Sequence, residues 1–376
     1  MKKIKVIHIL NSLGGVDTSL RMITENLDSN KYENIIIHGK KDNGNFIDNK
    51  NNKLKEYLLP IEREINLFKD LTSLIKAIRI VLKERPDIIH GHSAKGGLLA
   101  NLCGRFIKSA KVFHTPQAYS YLTYSNKYKR KIFILVEKFL KSKNTILLAS
   151  SESESIRGLK DIGYSKENIL LFNNSIKKIS VEPNSSVYSN YKLPQDFICT
   201  VGRPSYQKNI ELMVEIIMEV KKTIPNIHLV VMGLGVVSPN TENVKKLISK
   251  YNLENNITLI EWLDRKEIFN IVIKSKFYIS TARYEGLPYA ILEALALKKA
   301  IIATDVDGNR DVVKNTYNGY LLKEDQIDLF VEKTVELLTK TEIKNKFETN
   351  SFKLFNEKFN IDNNIKILDS IYSKYG

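Results

Sequence analysis

Arg203, Lys208, Glu285 and Glu293 are two cations and two carboxylates that follow one another in that order in the second half of the chain. Arg203 and Lys208 stand in "VGRPSYQKN" (Val201–Asn209), where Gly202 lets the chain turn after the apolar run "FICTVG". They flank the expected mouth of the next helix. A guanidinium binds two oxygens at once, an ammonium adds a point charge, and helix-opening amides face an anion, so this set suits a diphosphate. A solvated loop with two surface cations would read the same way locally. Glu285 and Glu293 lie eight positions apart in "YEGLPYAILEALALKKAIIATD" (Tyr284–Asp305), with Gly286, Leu287 and Pro288 directly after the first. Carboxylates are acceptors for sugar and ribose hydroxyls. Gly286 permits close backbone approach, Pro288 is expected as a first-turn helix residue, and amides around Leu287 to Ala290 suit phosphate oxygens. A capping Glu285 and an exposed helical Glu293 are the bland alternative.

The first half offers three weaker constellations. "SLGGVDTSL" (Ser12–Leu20) is a strand-to-helix turn whose Gly14 and Gly15 let backbone approach a ligand. It lacks the GxGxxG signature, which disfavours a nicotinamide site. His90 and His92, with His114, could suggest zinc, but no nearby Cys or Glu completes a ligand set, and an acceptor-side loop is the preferred reading. "DVD" at Asp305–Asp307 imitates a metal-binding pair, yet it follows the strand "AIIAT" and runs through Gly308 into "NRDVV". That context disfavours a metal site at this motif.

The elements that must position these residues read as strand, loop and helix in alternation. Near-continuous apolar runs occur at residues 4–10, 34–38, 87–90, 111–114, 145–149 and 169–172, with helical periodicity between them. After "NNSIKKISVEPNSSVYSNYKLPQ", a second series of strands begins at residues 197–201 and continues at 228–232, 257–260, 277–280 and 300–303. Such a pattern predicts parallel sheets covered on both faces, and 376 residues suit two domains. The expected division is residues 1–175, a linker at 176–195, residues 196–357, and a terminal helix at 358–376 that returns to the first domain. Ligand loops should gather at the carboxyl ends of the strands, in a cleft between the two domains.

The chain carries 58 Lys and Arg against 42 Asp and Glu, a formal charge of +16, which points to anionic partners. Its two cysteines, Cys103 and Cys199, form no disulfide framework and suit a reducing compartment. The opening "MKKIKVIHIL" has too short an apolar run for a signal peptide, and no stretch reaches the ~18–20 apolar residues of a membrane span. Between Tyr119 and Lys143, aromatics interleave with Lys127, Lys129, Arg130, Lys131, Lys138, Lys141 and Lys143, which reads as a peripheral contact with an anionic membrane. A core helix with a solvated basic face is the alternative.

"EGLPYAILE", the Gly-Arg…Gln-Lys loop, "TDVDGNRDVV", "LGGV", "DIIHGHSAKGG" and "HTPQAYSYL" together resemble the retaining glycosyltransferases of family 4, surface-polysaccharide type. The resemblance spans the chain. It implies the GT-B fold, two Rossmann-like domains with the nucleotide-sugar held mainly by the second. It also implies that Arg203 and Lys208 hold the donor diphosphate, that Glu285 contacts the transferred sugar and that Glu293 binds ribose. Gly202, Gly286, Leu287 and Pro288 would complete the donor site; Gly14, Gly15, His92 and Gln117 would face the acceptor. Many relatives carry "TPH" where this chain has "TPQ", so Gln117 can orient a hydroxyl but not shuttle a proton at neutral pH. The family implies front-face transfer with retention, no essential metal and no cofactor, the nucleotide-sugar being a co-substrate. The expected partners are a nucleoside-diphosphate sugar, UDP by family frequency, and a glycan or polyprenyl-diphosphate-linked acceptor, without nucleic acid. The expected location is cytoplasmic, on the inner face of the cell membrane. A sugar-nucleotide epimerase of the same fold and a non-catalytic basic lipid- or nucleic-acid-binding protein are the rivals.

Overall fold

The computed structural model describes residues 2–11, 14–40, 43–62, 65–124, 126–142, 144–181, 191–235 and 238–376. Ser12 and Leu13 of the glycine turn, Lys143 of the basic segment and residues 182–190 of the expected linker lie outside the described residues. The chain forms two compact units, Met1–Lys177 with Phe359–Gly376, and Lys178–Lys358.

In the first unit, seven parallel strands pair in the order β3-β2-β1-β4-β5-β6-β7. They are β1 (Ile4–Leu10), β2 (Tyr32–His38), β3 (Lys55–Leu58), β4 (Ile88–His92), β5 (Lys111–Thr115), β6 (Thr145–Ala149) and β7 (Ile169–Leu171). Alternate side chains point to opposite faces, and both faces are apolar, so both are covered. Ile7, Ile9, Ile35, Ile37 and Ile89 pack with Ala77, Val81, Leu99 and Cys103 of the helices Leu67–Glu84 and Ser93–Gly104. Val6, Leu10, Ile36, Ile88 and Phe113 pack on the other face with Leu20 and Ile23 of the helix Gly15–Thr24. Leu368 and Tyr372 of the terminal helix Ile361–Tyr375 join that second cluster. The helix Lys127–Leu140 shares the first face. Its Phe133 and Ile134 pack on a cluster containing Leu147, which pairs in register with His114, and the His114 ring lies against Gly97 of the neighbouring helix.

The second unit is a six-stranded parallel sheet ordered β10-β9-β8-β11-β12-β13. Its strands are β8 (Ile198–Val201), β9 (Leu229–Leu234), β10 (Ile257–Glu261), β11 (Tyr278–Ser280), β12 (Ile301–Thr304) and β13 (Gly319–Leu322). The helices Ile210–Lys221 and Ile327–Thr339 bury Met213, Ile217, Phe330 and Leu337 against its strands. Both units are therefore doubly wound parallel α/β sheets, the class that the alternation predicts.

In each unit the strand order reverses beside the first strand, between β1 and β4 and between β8 and β11. Loops that leave such a switch point diverge and leave room for a ligand. Those loops carry Gly14 and Gly15 after β1, His92 at the end of β4, the Arg203–Lys208 loop after β8 and the Glu285 loop after β11. Two strands were not legible in the sequence. β3 reads Lys-Glu-Tyr-Leu at a sheet edge, where one flank meets water and charge is tolerated. β13 reads Gly-Tyr-Leu-Leu, its glycine the second residue of an Asn-Gly pair, a turn signal that masks the start of this edge strand. Among the described residues no helix is long and apolar enough to cross a membrane.

Candidate active site

β8 and β11 are neighbours, and Tyr278 fastens their ends: its hydroxyl lies 3.0 Å from the Val201 amide and 3.2 Å from the Val201 carbonyl. Past that clamp the two loops are sewn together. The Arg283 amide donates to the Gln207 carbonyl at 2.8 Å, the Thr281 hydroxyl donates to the Asn209 carbonyl at 2.8 Å, and the Arg283 guanidinium donates to the Tyr206 carbonyl at 2.8 Å. Arg283 and Asn209 both bind Glu324 Oε1, at 3.0 and 2.9 Å.

The consequence is a direct ion pair. Lys208 Nζ donates to Glu285 Oε1 at 2.6 Å, while Gln207 Nε2 donates to Glu285 Oε2 at 3.2 Å and to the Tyr284 carbonyl at 3.2 Å. Both oxygens of the buried carboxylate thus have a donor, and the half-buried ammonium keeps an open side. A pair with one partly solvated member can exchange its contacts for ligand oxygens, which a fully enclosed pair cannot do without a large desolvation penalty. The methylene stem of Lys208 runs over Gly202, where an added Cβ would lie 3.3 Å from it. Gly308 closes the other side. Its φ is +79°, and a Cβ there would come within 2.8 Å of the Glu285 Cβ and the Gly286 carbonyl oxygen. The "DGN" turn is therefore the support on which Glu285 rests. Arg203 is half-buried directly after Gly202, at the carboxyl end of β8.

Pro288 differs from expectation. It caps the helix Tyr289–Ala296 from outside, with φ −74° and ψ 110°, and its carbonyl accepts from the amides of Ile291 and Leu292 at 3.0 and 3.1 Å. An extended ψ lets the chain leave the Gly286–Leu287 turn before the helix begins, which a first-turn position would not allow. Glu285 makes no side-chain cap, and Glu293 is buried on that helix. Glu293 takes another partner, an ion pair with Arg265, the first residue of the helix Arg265–Lys274. Nothing local in the sequence singles out Arg265, and Gln207 is read there only as a member of the Gly-Arg…Gln-Lys loop; both contacts follow from tertiary placement. Asp305 and Asp307 are both engaged by Arg310, whose Nε lies 2.5 Å from Asp305 Oδ1 and whose Nη1 lies 3.2 Å from Asp307 Oδ1.

In the first unit Gly14 precedes the helix Gly15–Thr24 as its cap. Gln117 and Ala118 have φ of 56° and 78°, and Gln117 is locked by a reciprocal amide pair with Asn174 at 3.1 and 2.9 Å and by a bond to Ser19 Oγ at 2.8 Å. Two consecutive left-handed residues without glycine are costly and persist where surroundings dictate them. His92 is fully buried, its Nε2 3.0 Å from His8 Nδ1, while His90 binds the Tyr372 hydroxyl at 2.6 Å and the Thr115 hydroxyl at 2.8 Å. The ring nitrogens of His8, His90 and His92 lie close enough to form a metal-sized cluster. Most of those nitrogens, however, already have protein partners. Burial pushes the His8 and His114 imidazoles down to about 4, and those of His90 and His92 fall well below the ordinary range for the same reason.

Two family models match. Residues 185–354 match "glycosyl transferases group 1", and residues 13–176 match "glycosyltransferase family 4". The chain is 26% identical to the UDP-Gal:alpha-D-GlcNAc-diphosphoundecaprenol alpha-1,3-galactosyltransferase of Escherichia coli, over 99% of this chain and 97% of that one. It is 24% identical to the capsular polysaccharide biosynthesis glycosyltransferase CapM of Staphylococcus aureus, over 100% and 98%. In fold it is similar to sucrose-phosphate synthase from Thermosynechococcus elongatus, with a TM-score of 0.82 at 16% identity and 99% of both chains covered. It is also similar to Anabaena Alr3699/HepE in complex with UDP and glucose, with a TM-score of 0.81 at 14% identity, covering 99% and 100%.

Proposed function

This chain belongs to the family 4 glycosyltransferases, and from that premise we propose that it transfers a sugar from UDP to a lipid-linked or capsular glycan with retention of anomeric configuration. The observation that carries the reading is the Lys208–Glu285 pair, supported from beneath by Gly202 and Gly308. In the reaction the bond between the anomeric carbon and the β-phosphate oxygen breaks and leaves its electron pair on the diphosphate. Lys208, Arg203 and the first amides of the helix Tyr289–Ala296 receive that charge. Glu285 exchanges Lys208 for a hydroxyl of the sugar, and Glu293 exchanges Arg265 for ribose. The acceptor oxygen attacks from the face the diphosphate leaves, and its proton passes to the departing phosphate oxygen. No protein nucleophile enters. The names of the E. coli and S. aureus relatives support the acceptor class, and the UDP complex supports the nucleotide.

The test is to incubate the protein with UDP-sugars and a polyprenyl-diphosphate-linked sugar and to read the new linkage by NMR. A product of inverted configuration would overturn the mechanism. A sugar-nucleotide isomer formed without acceptor would make the protein an epimerase. The Arg310 grip on Asp305 and Asp307 supports metal-independent transfer, so turnover in excess EDTA should stay within about twofold of the untreated rate.

Gly308→Ala should lower turnover about 10²-fold with little change in UDP affinity, since displacing a reacting group by about 1 Å costs on that order. An unchanged kcat would remove Gly308 from the site's support.

The helix Lys127–Leu140 is proposed to rest on the membrane. It buries no residue fully and turns Tyr128, Ile132, Leu135, Val136 and Phe139 outward, one face at helical spacing. Its one acid, Glu137, is pushed up to about 7 by loss of hydration, which leaves the segment strongly cationic. Leu135→Glu with Phe139→Glu should cut co-flotation with phosphatidylglycerol-containing vesicles at least about tenfold, because each apolar side chain contributes about 1.5–3 kcal/mol when buried. Flotation equal to that of the wild type would overturn this assignment.

A further inference from the structure

A groove of about 240 Å³ opens in the first unit between the helices Leu67–Glu84 and Ser93–Gly104. Its lining is largely hydrocarbon, from Ile61, Leu71, Leu74, Leu98, Leu99 and Leu102. One ion pair shares the lining, Lys95 Nζ on Asp70 Oδ1 at 2.7 Å, and so does Ser73, whose buried hydroxyl has no hydrogen-bond partner. Leu67 and Phe68, 79% and 87% exposed, begin the helix that forms one wall, and Ile75 and Leu82 continue its outward apolar residues. Contiguous apolar surface of this kind marks a binding face, since leaving it in water gains nothing for the folded chain.

Charge selects the occupant. The same helix exposes Lys76, Arg79 and Lys83, while its acids Asp70 and Glu84 are already held by Lys95 and Lys55. The helix Lys127–Leu140, on the same sheet face, exposes Lys127, Lys129, Lys131 and Lys138. A second copy docking here would bring two cationic faces together, which Coulomb repulsion opposes. A single hydrocarbon chain with a phosphate head satisfies both the recess and the surrounding charge. The outward stripe of Lys127–Leu140 suits a bilayer surface, whereas a recess encloses one chain on several sides.

We propose that this groove binds the head-proximal part of the isoprenoid chain of the lipid-linked acceptor, a deepening that rests on the acceptor class assigned above. The groove holds a short stretch of chain and leaves the remainder in the membrane. Ser73 and the Asp70–Lys95 pair give its wall the polar points that fix how far the chain enters.

The experiment titrates the full chain, without vesicles, with geranylgeranyl monophosphate and separately with inorganic phosphate. The wild type should bind the prenyl phosphate at least about tenfold more tightly than phosphate. Leu71→Gln and Leu98→Gln should each weaken it by about tenfold, the change that about 1.4 kcal/mol of lost apolar burial produces. Leu71 is more than half exposed, so its variant remains informative should Leu98→Gln fold poorly. The UDP-induced thermal shift should be unchanged in both variants. Equal affinity for the two phosphates, or variants that bind as the wild type does, would overturn the proposal. Variants that lose vesicle flotation but keep prenyl phosphate would assign the groove to bilayer lipid and overturn it too. A change of sedimenting mass in the variants would assign it to a second copy instead. A wild type without a UDP shift speaks against the donor site and leaves the prenyl result to be read by itself.

Discussion

Lys208→Ala and Glu285→Ala should each lower kcat by about 10²–10³-fold, the usual cost of removing one group that stabilises charge developing in a transition state. The two losses have different origins. In the proposed reaction Lys208 faces the charge that builds on the departing diphosphate, so its removal should fall mainly on kcat. In the proposed reaction Glu285 binds a sugar hydroxyl before and during transfer, beside the positive charge that develops on the sugar, so its removal should lower kcat and also raise KM for the sugar donor. Each single variant has a structural cost as well: among the described residues, the buried Glu285 carboxylate without Lys208 keeps Gln207 alone as a side-chain donor. Breaking a buried pair costs about 3–5 kcal/mol, and less where one partner reaches water, as Lys208 does. Lys208→Met combined with Glu285→Gln separates the two effects. It removes both charges, so folding should recover toward the wild type while turnover stays down. Recovery of turnover in the double variant would mean that the pair is only a tie between two loops, and the assignment of Lys208 and Glu285 to the donor would fail.

Acid should destabilise the first unit well above the pH at which carboxylates titrate. His8, His90, His92 and His114 are all buried and neutral, and burial lowers the affinity of each for a proton. Once unfolded, each imidazole titrates near 6.5. Below that pH the unfolded chain therefore holds more protons than the folded one, and stability falls as pH falls. His8 and His114, at about 4 when folded, together cost about 5 kcal/mol between pH 6.5 and 4. His90 and His92 add to this in the same direction, against a total stability of about 5–15 kcal/mol for a typical domain. Urea midpoints followed by far-UV circular dichroism should drop steeply from pH 7 to pH 5, and the fold should be lost before pH 4. His8→Asn should flatten that dependence by about one proton. A midpoint unchanged between pH 7 and 5 would show that these rings are hydrated or paired in a way the structure does not contain.

The His cluster shows why such behaviour was not legible at the start. The sequence places His90 and His92 two apart on one strand, so both side chains face the same side. His8, one strand away, meets them because β1 pairs with β4, with His8 opposite His90. Tyr372 joins from the far end of the chain because the terminal helix lies on that sheet face. No local pattern distinguishes this buried polar network from the loop cluster that the spacing suggested. The donor-side contacts follow the same logic. Gln207 stood beside a recognised lysine and Arg265 opened an ordinary amphipathic helix, yet their roles depend on which carboxylate each one meets.

By itself the sequence determined the two series of alternating strands and helices, the cationic surface and the identity of the residues able to do chemistry, because periodicity, charge and side-chain type are local properties. Only the tertiary structure decided their partners. Lys208 reaches Glu285 across 77 positions because β8 and β11 are adjacent at the point where strand order reverses, and Gly308 lies under Glu285 because β12 is the next strand over. Strand order is set by the summed burial of both sheet faces, a long-range quantity that no single stretch of the chain encodes.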